Sequence, residues 1–189
     1  GDWSSDVCSS DLEVFPFAYT PVPYVKKERT NGGILFDFGR ETFAKTRITG
    51  LQKKRVRVQF GESREEALDA VWSVIHFDEE PENGEISYMP YAFRYIFVSD
   101  EEAEIQAEYE YLPLEYRGEF RCNEEVINKV WDVAAYTFHL NSREFFLDGI
   151  KRDGWVWSAD AYQSFFVNRY LFFDKELEKR TLIALGGKS

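Results

Sequence analysis

From about residue 13 to 117 apolar and polar positions alternate with a period of two. Ile34, Phe36 and Phe38 are set against Leu35 and Asp37, and Val56, Val58 and Phe60 against Arg55, Arg57 and Gln59. Ile105, Ala107, Tyr109 and Tyr111 interleave with Glu104, Gln106, Glu108 and Glu110. Successive side chains of an extended strand point to opposite faces, so this rhythm predicts half-buried antiparallel strands. Turn-forming residues separate them at Asn31-Gly32-Gly33, Thr49-Gly50, Asn83-Gly84 and Ser99-Asp100, the spacing of a β-sandwich. Leu68 to Ile75 fits either a short helix or a strand.

After Gly118 the rhythm changes. Val126, Ile127, Val130, Trp131, Ala134 and Phe138 follow a helical stripe, with Asn123 as N-cap and Glu124 and Glu125 complementing the helix dipole. The spacing predicts a helix to roughly Phe145, a second from about Asp160 through Tyr170, and a third from Asp174, its N-cap, through Leu185, stopped by Gly186-Gly187. The chain therefore reads as multidomain, β then α, with the change near residue 118.

Composition narrows the function. The chain is 44% hydrophobic, 17% aromatic and 30% charged, the profile of a folded globular protein. Its longest apolar runs, such as Tyr170-Leu171-Phe172-Phe173, fall far short of the roughly 20 residues that cross a bilayer, so no membrane partner is expected. A net charge of -11 repels phosphate backbones and argues against nucleic acid.

Residues 1–12, Gly1 to Leu12, have no hydrophobic period. Back-translated, residues 2 to 12 resemble the read of a common sequencing-library adapter, as in a metagenomic assembly, so the expectation is a disordered artefact. On that reading the native N-terminus is missing and localisation, periplasmic or cytoplasmic, stays open. Setting this stretch aside leaves Cys122 alone, which gives no disulfide framework and no cysteine metal site. A lone cysteine is read as a small buried hydrophobe. His76 and His139 have no metal-ligand partners at useful spacing, and no cofactor is expected. Gly187-Lys188-Ser189 lacks the glycine that a phosphate-binding loop needs at position 182, where Leu182 stands.

The densest chemistry lies between the first two helices, in Leu147 to Asp160: Asp148, Asp153 and Asp160 with Lys151, Arg152, Trp155 and Trp157. An indole covers the apolar face of a sugar, while carboxylates bind its hydroxyls and can act as acid or base in glycoside hydrolysis. The plainer reading makes Trp155 and Trp157 core aromatics, Asp160 an N-cap, and Lys151, Arg152 and Asp153 surface ion pairs.

The run Asp148-Gly-x-x-Arg152-Asp153-x-x-x-Trp157-x-x-Asp160 resembles the signature of glycoside hydrolase family 78, the bacterial α-L-rhamnosidases. Upstream, Phe36-Asp37-Phe38-Gly39-Arg40, Phe60-Gly61-Glu62-Ser63 and Phe93-Arg94-Tyr95 resemble the β-sandwich that precedes the barrel there. The resemblance implies an antiparallel β-sandwich over residues 13–117, then the first helices of an (α/α)6 six-hairpin barrel over 118–189. It implies hydrolysis of terminal α-L-rhamnosyl residues with inversion, Asp153 being the general acid. Asp148, Arg152, Trp155, Trp157 and Asp160 would bind a rhamnose-containing glycan or glycoside. The general base would be a Glu beyond Ser189, leaving this chain inactive alone. Asp153 stands where the family more often has Glu, Gly154 where it has Arg, and Ala159 where it has Gly. The competing reading is a non-catalytic carbohydrate-binding or accessory protein with a decayed acid site. Oligomeric state is not read from the sequence.

Overall fold

The computed structural model describes residues 17–187, so the adapter-like stretch 1–12 lies outside the described residues. These residues form two compact units. One comprises 19–111 together with 150–152, the other 17–18, 112–149 and 153–187. Residues 112–124 carry neither strand nor helix.

The first unit is a seven-stranded antiparallel sheet. Its strands are β1 (Ala18–Pro21), β2 (Lys26–Thr30), β3 (Gly33–Thr49), β4 (Val56–Gly61), β5 (Ile75–Glu79), β6 (Ile86–Val98) and β7 (Glu104–Tyr111), with a short helix α1 (Arg64–Leu68) between β4 and β5. The ambiguity over Leu68 to Ile75 resolves into a turn that separates α1 from β5. All four turn signals mark strand ends. Asn83 and Gly84 take the left-handed backbone, at φ 53° and 76°, that a tight hairpin requires.

Two strands are longer than a sandwich pattern predicts. The first half of β3 pairs with β2 and with the end of β6, from Asp37↔Tyr95 to Ile34↔Val98. Its second half pairs with the start of β6 and with β7. Register shifts between Asp37 and Thr42 and between Ala44 and Thr46 bend the strand, as bulges do, so the hydrogen-bonded network stays continuous. The alternating residues of both halves meet in one core. Ile34, Phe36, Phe38, Ala44, Ile48, Val56, Val58, Phe60, Phe93, Ile96, Val98, Ile105 and Ala107 are all buried together. Phe60 sits among the rings of Phe77, Tyr88, Tyr91 and Phe93, at centroid distances of 5.4 to 6.2 Å.

The second unit holds α2 (Glu125–Asn141), α3 (Ser158–Leu171) and α4 (Lys175–Gly186). Here the sequence boundaries need correction. α2 stops at Asn141, not Phe145, because the Ser142 hydroxyl donates to the Phe138 carbonyl and the chain reverses through a Ser142↔Phe146 bridge. Its N-cap is Glu124 rather than Asn123, without a side-chain cap. The entering chain is tied by Asn128, whose amide both accepts from the Cys122 N–H and donates to the Cys122 carbonyl. Cys122 itself is half-buried, not a core residue. α3 begins at Ser158, which places Asp160 in its first turn rather than at its cap. α4 matches the sequence reading: the Asp174 carboxylate accepts from the Leu177 N–H, and Gly187 ends the helix.

Burial on these helices is sparse. Of the stripe expected on α2, Val126, Ile127 and Val130 are exposed, while Ala135 and Leu140 are the residues buried. Two small clusters form, Leu112 with Phe146 and Leu177, and Ala135 with Leu171 and Phe172. Buried Asn168 joins α3 to α4, donating to the Asp174 carbonyl and to Glu178 and accepting from the Asp174 N–H. Burial lowers the pKa of His139 below the ordinary imidazole value, and its ring has Nε2 facing the Leu112 carbonyl at 2.7 Å and Nδ1 facing the Tyr116 hydroxyl at 2.9 Å. Gly118 has no room for a side chain, since a β-carbon there would stand 1.6 Å from the Tyr170 carbonyl oxygen.

Candidate functional site

The segment between α2 and α3 is built around Asp148. Its backbone N–H donates to the Trp155 carbonyl at 3.1 Å, and its Oδ1 accepts from the N–H groups of Gly149 and Trp155, both at 2.9 Å. One carboxylate therefore closes the neck of a short excursion. Asp148 is half-buried, and part of its hydrogen-bonding capacity goes to this structural task.

Beyond the neck the chain makes a rare turn. Asp153 and Gly154 both take left-handed backbone, at φ 62° and 52°. Asp is among the few residues that tolerate this region, and positions held there cluster at functional sites. Glycine at 154 follows from the same geometry: a β-carbon would meet only the Gly149 carbonyl, at 3.8 Å, but would be strained by the backbone.

The side chains that follow alternate in exposure. Trp155 and Trp157 are each 52% exposed, with Val156 buried between them at 5%. The reading of these indoles as core aromatics does not hold; Val156 is the anchor and both rings face outward. Trp157 occupies the N-cap position of α3 without a side-chain cap bond, and Asp160 is exposed in its first turn, where the positive end of the helix dipole favours a carboxylate. Asp153 is exposed as well.

Lys151 and Arg152 fall in the β-unit. Arg152 is exposed and makes no ion pair among the described residues. Lys151 behaves in the opposite way, with a side chain only 7% exposed and its ammonium 2.5 and 2.6 Å from the two Glu66 oxygens. Glu62 lies 3.5 Å away. The surface-ion-pair reading thus fails for Lys151, whose pair is buried, and for Arg152 and Asp153, which are unpaired among the described residues. Around this ammonium the acids respond unequally. Burial opposes charge on Glu66, but the Lys151 ammonium and the Glu62 N–H hold its carboxyl below the usual range. Glu41, on β3, is pushed up to about 7 by burial and by the charges of Glu62 and Glu66, with Lys151 acting against the shift.

Sequence reasoning missed this cluster. The local signal was Ser63-x-x-Glu66 at the start of α1, a capping-box pattern: the Ser63 hydroxyl accepts from the Glu66 N–H at 3.1 Å. The partner, Lys151, lies 85 residues away, beyond the reach of any local pattern.

The upstream motifs also meet. β3–β6 pairing sets Asp37 opposite Tyr95, and Arg94 grips the Asp37 carboxylate with two donors at 3.1 and 3.3 Å. Burial works against charge on Asp37, but Arg94 and the Gly39 N–H hold it below the ordinary carboxylate range. Phe36-Asp37-Phe38-Gly39 and Phe93-Arg94-Tyr95 are thus two halves of one strand-pairing device. No group of three or more His, Cys, Asp or Glu is placed to hold a metal among the described residues.

Several solved structures share this fold. A rhamnosidase from Klebsiella oxytoca with rhamnose bound is 20% identical at a TM-score of 0.68, over 84% of this chain and 36% of its own. The α-L-rhamnosidase from Dictyoglumus thermophilum is 19% identical at 0.68, over 89% of this chain and 21% of its own. That from Streptomyces avermitilis, complexed with L-rhamnose, is 17% identical at 0.65, over 89% and 18%. The chain therefore spans from under a fifth to about a third of these enzymes. No curated protein matches it. A family model described as "Alpha-rhamnosidase-like, bacteroidetes, N-terminal" matches residues 1–98. With more than half of its length so matched, this chain belongs to the α-rhamnosidase-like N-terminal family.

Proposed function

We propose that this chain is part of an inverting α-L-rhamnosidase, contributing a β-sandwich and the first helices of an (α/α)6 barrel together with the acid side of the catalytic pair. One observation carries the reading. Asp153, Trp155, Trp157 and Asp160 all stand exposed on a single short stretch whose neck is closed by Asp148.

In this reading Asp153 protonates the glycosidic oxygen as the bond to the anomeric carbon breaks. Trp155 and Trp157 cover apolar sugar faces, while Asp148, Asp160 and Arg152 take hydroxyls. Inversion needs a second carboxylate about 6.5–9.5 Å from the first to activate water on the opposite face. That base is a Glu outside this chain, so the chain alone turns over no rhamnoside. The exposed faces of α2 and α3 are those that further barrel helices would cover. Gly154 needs no decayed site to explain it, since its backbone calls for glycine.

The test uses the full-length parent. Asp153→Asn keeps shape but removes the transferable proton, so hydrolysis of a rhamnoside with a poor leaving group falls by about 10²-fold to 10⁴-fold. An activated aryl rhamnoside, which needs less protonation, loses much less. Asp148→Asn and Asp160→Asn impair both substrates equally. Leaving-group dependence in Asp160→Asn but not in Asp153→Asn would show that the acid is misassigned.

A further inference from the structure

Within the segment that carries the proposed acid, one residue is treated differently from its neighbours. Arg152, Asp153 and Gly154 are exposed, whereas the Lys151 side chain is 7% exposed and its ammonium meets both Glu66 oxygens. The receptor is organised independently of the lysine. Glu66 is held at its backbone by the Ser63 hydroxyl, and its carboxylate accepts from the Glu62 N–H at 3.0 Å. Glu62 adds a second charge at 3.5 Å.

Burying an ammonium is a poor way to gain stability. Its lost hydration offsets much of the attraction, and a lysine gives up rotamer freedom to be held. What such a pair does supply is a fixed position. Lys151 stands two residues before Asp153 and three after Asp148.

We propose that Lys151 is a positioning residue: its ion pair with Glu66, joined by the more exposed Glu62, fixes the backbone from which Asp153 projects. This rests on the role given to Asp153 above, and the experiment separates the two. Fixing a proton donor to within a fraction of an ångström matters because a displacement of about 1 Å can cost 10²-fold in rate.

The first measurement is amide hydrogen exchange on the chain itself. Lys151→Met should accelerate exchange at Gly149 and Trp155, the two donors to Asp148, by about 10-fold or more, while the amides of β4 and β6 keep their protection. Glu66→Gln should loosen the same two amides in the otherwise native chain and add nothing in the Lys151→Met background, the signature of one shared interaction. Should Lys151→Met fail to fold, Glu66→Gln alone decides. The second measurement is kinetic, in the full-length parent. Lys151→Met should lower kcat on a poor-leaving-group rhamnoside by about 10-fold to 10²-fold with KM changed less than about 2-fold, and Lys151→Arg should recover part of the loss. Unchanged exchange at Gly149 and Trp155, or equal loosening of β4, overturns the positioning role. A parent inert toward every rhamnoside would overturn the proposed function, while the exchange result still judges the anchor.

Discussion

The two units solve the burial problem differently. In the β-unit β3, β4, β6 and β7 give one face to a single core, with Ile75 and Phe77 of β5 packed against it, and Ile34, Phe36, Ile48, Val56, Val58, Phe60, Phe93, Ile96 and Val98 are no more than 1% exposed. In the helical unit Val126, Val130, Val133, Phe166, Val167 and Tyr170 are between 41% and 74% exposed, and the buried hydrophobic clusters are small. A sheet can bend at its bulges and close its apolar face upon itself. A helix with apolar residues on more than one side cannot, and relies on neighbours to cover them. The contrast teaches that an apolar period identifies an element without saying whether that element is covered.

The largest effect that would sharpen this contrast is expected at Phe60. Phe60→Ala removes a ring enclosed by four others and should cost about 3–5 kcal/mol, read as a lowered midpoint in urea unfolding followed through the β-unit. A loss under about 1 kcal/mol would mean that the core is loose after all.

A smaller effect, and one with a pH signature, belongs to Glu41. Its carboxyl is pushed from the ordinary 4.5 up to about 7 in the folded chain. Between those values the unfolded chain has released its proton and the folded chain keeps it. Stability from this site therefore falls as pH rises through that window and is constant above it. Glu41→Gln should stabilise the β-unit at pH 8 by up to about 2 kcal/mol, after discounting for partial exposure, and leave it unchanged at pH 4. Glu66 has the opposite sign: its lowered value contributes stability above the ordinary carboxylate range and loses it on acidification. Equal stabilisation by Glu41→Gln at both pH values would remove the electrostatic explanation.

The smallest effect lies on α2. Val130 is 62% exposed, so Val130→Ser should change the stability of this chain by no more than about 0.5 kcal/mol. In the parent, where the proposed barrel covers that face, the same change should cost about 1.5–3 kcal/mol. Equal and negligible effects in both would leave the exposed helical faces without a covering partner.

Much of the β-unit was legible because its determinants are local. Val56-Arg57-Val58 and Ile105-Gln106-Ala107 announce their faces by alternation, whereas Leu35, buried like Ile34 and Phe36, breaks the pattern, and Asn83-Gly84 announces its hairpin by the backbone only such residues adopt cheaply. The bends in β3 and β6 were not legible, since a bulge is set by which strands pair. On the helical side Asp174 and Gly187 revealed both ends of α4. The end of α2 misled, because Phe145-Phe146-Leu147 continues the apolar rhythm past the point where Ser142 turns the chain. At the candidate site the residue types were visible, and Gly154 hinted at an unusual backbone. What the sequence could not convey was which of two adjacent cations would be buried. Lys151 and Arg152 look alike in the chain, and only the tertiary neighbourhood of Glu41, Glu62 and Glu66 separates them.

The left-handed pair at 153 and 154 sets folding against the proposed function. A residue with a side chain at φ 62° costs folding roughly 1 kcal/mol that glycine would not. Selection for foldability alone would drift position 153 toward Gly, the residue that stands at 154. Asp153→Gly is thus a change that thermal denaturation would welcome and that would strip the segment of its proposed proton donor. A library screened for melting temperature should enrich it, and one screened for rhamnoside cleavage in the parent should purge it.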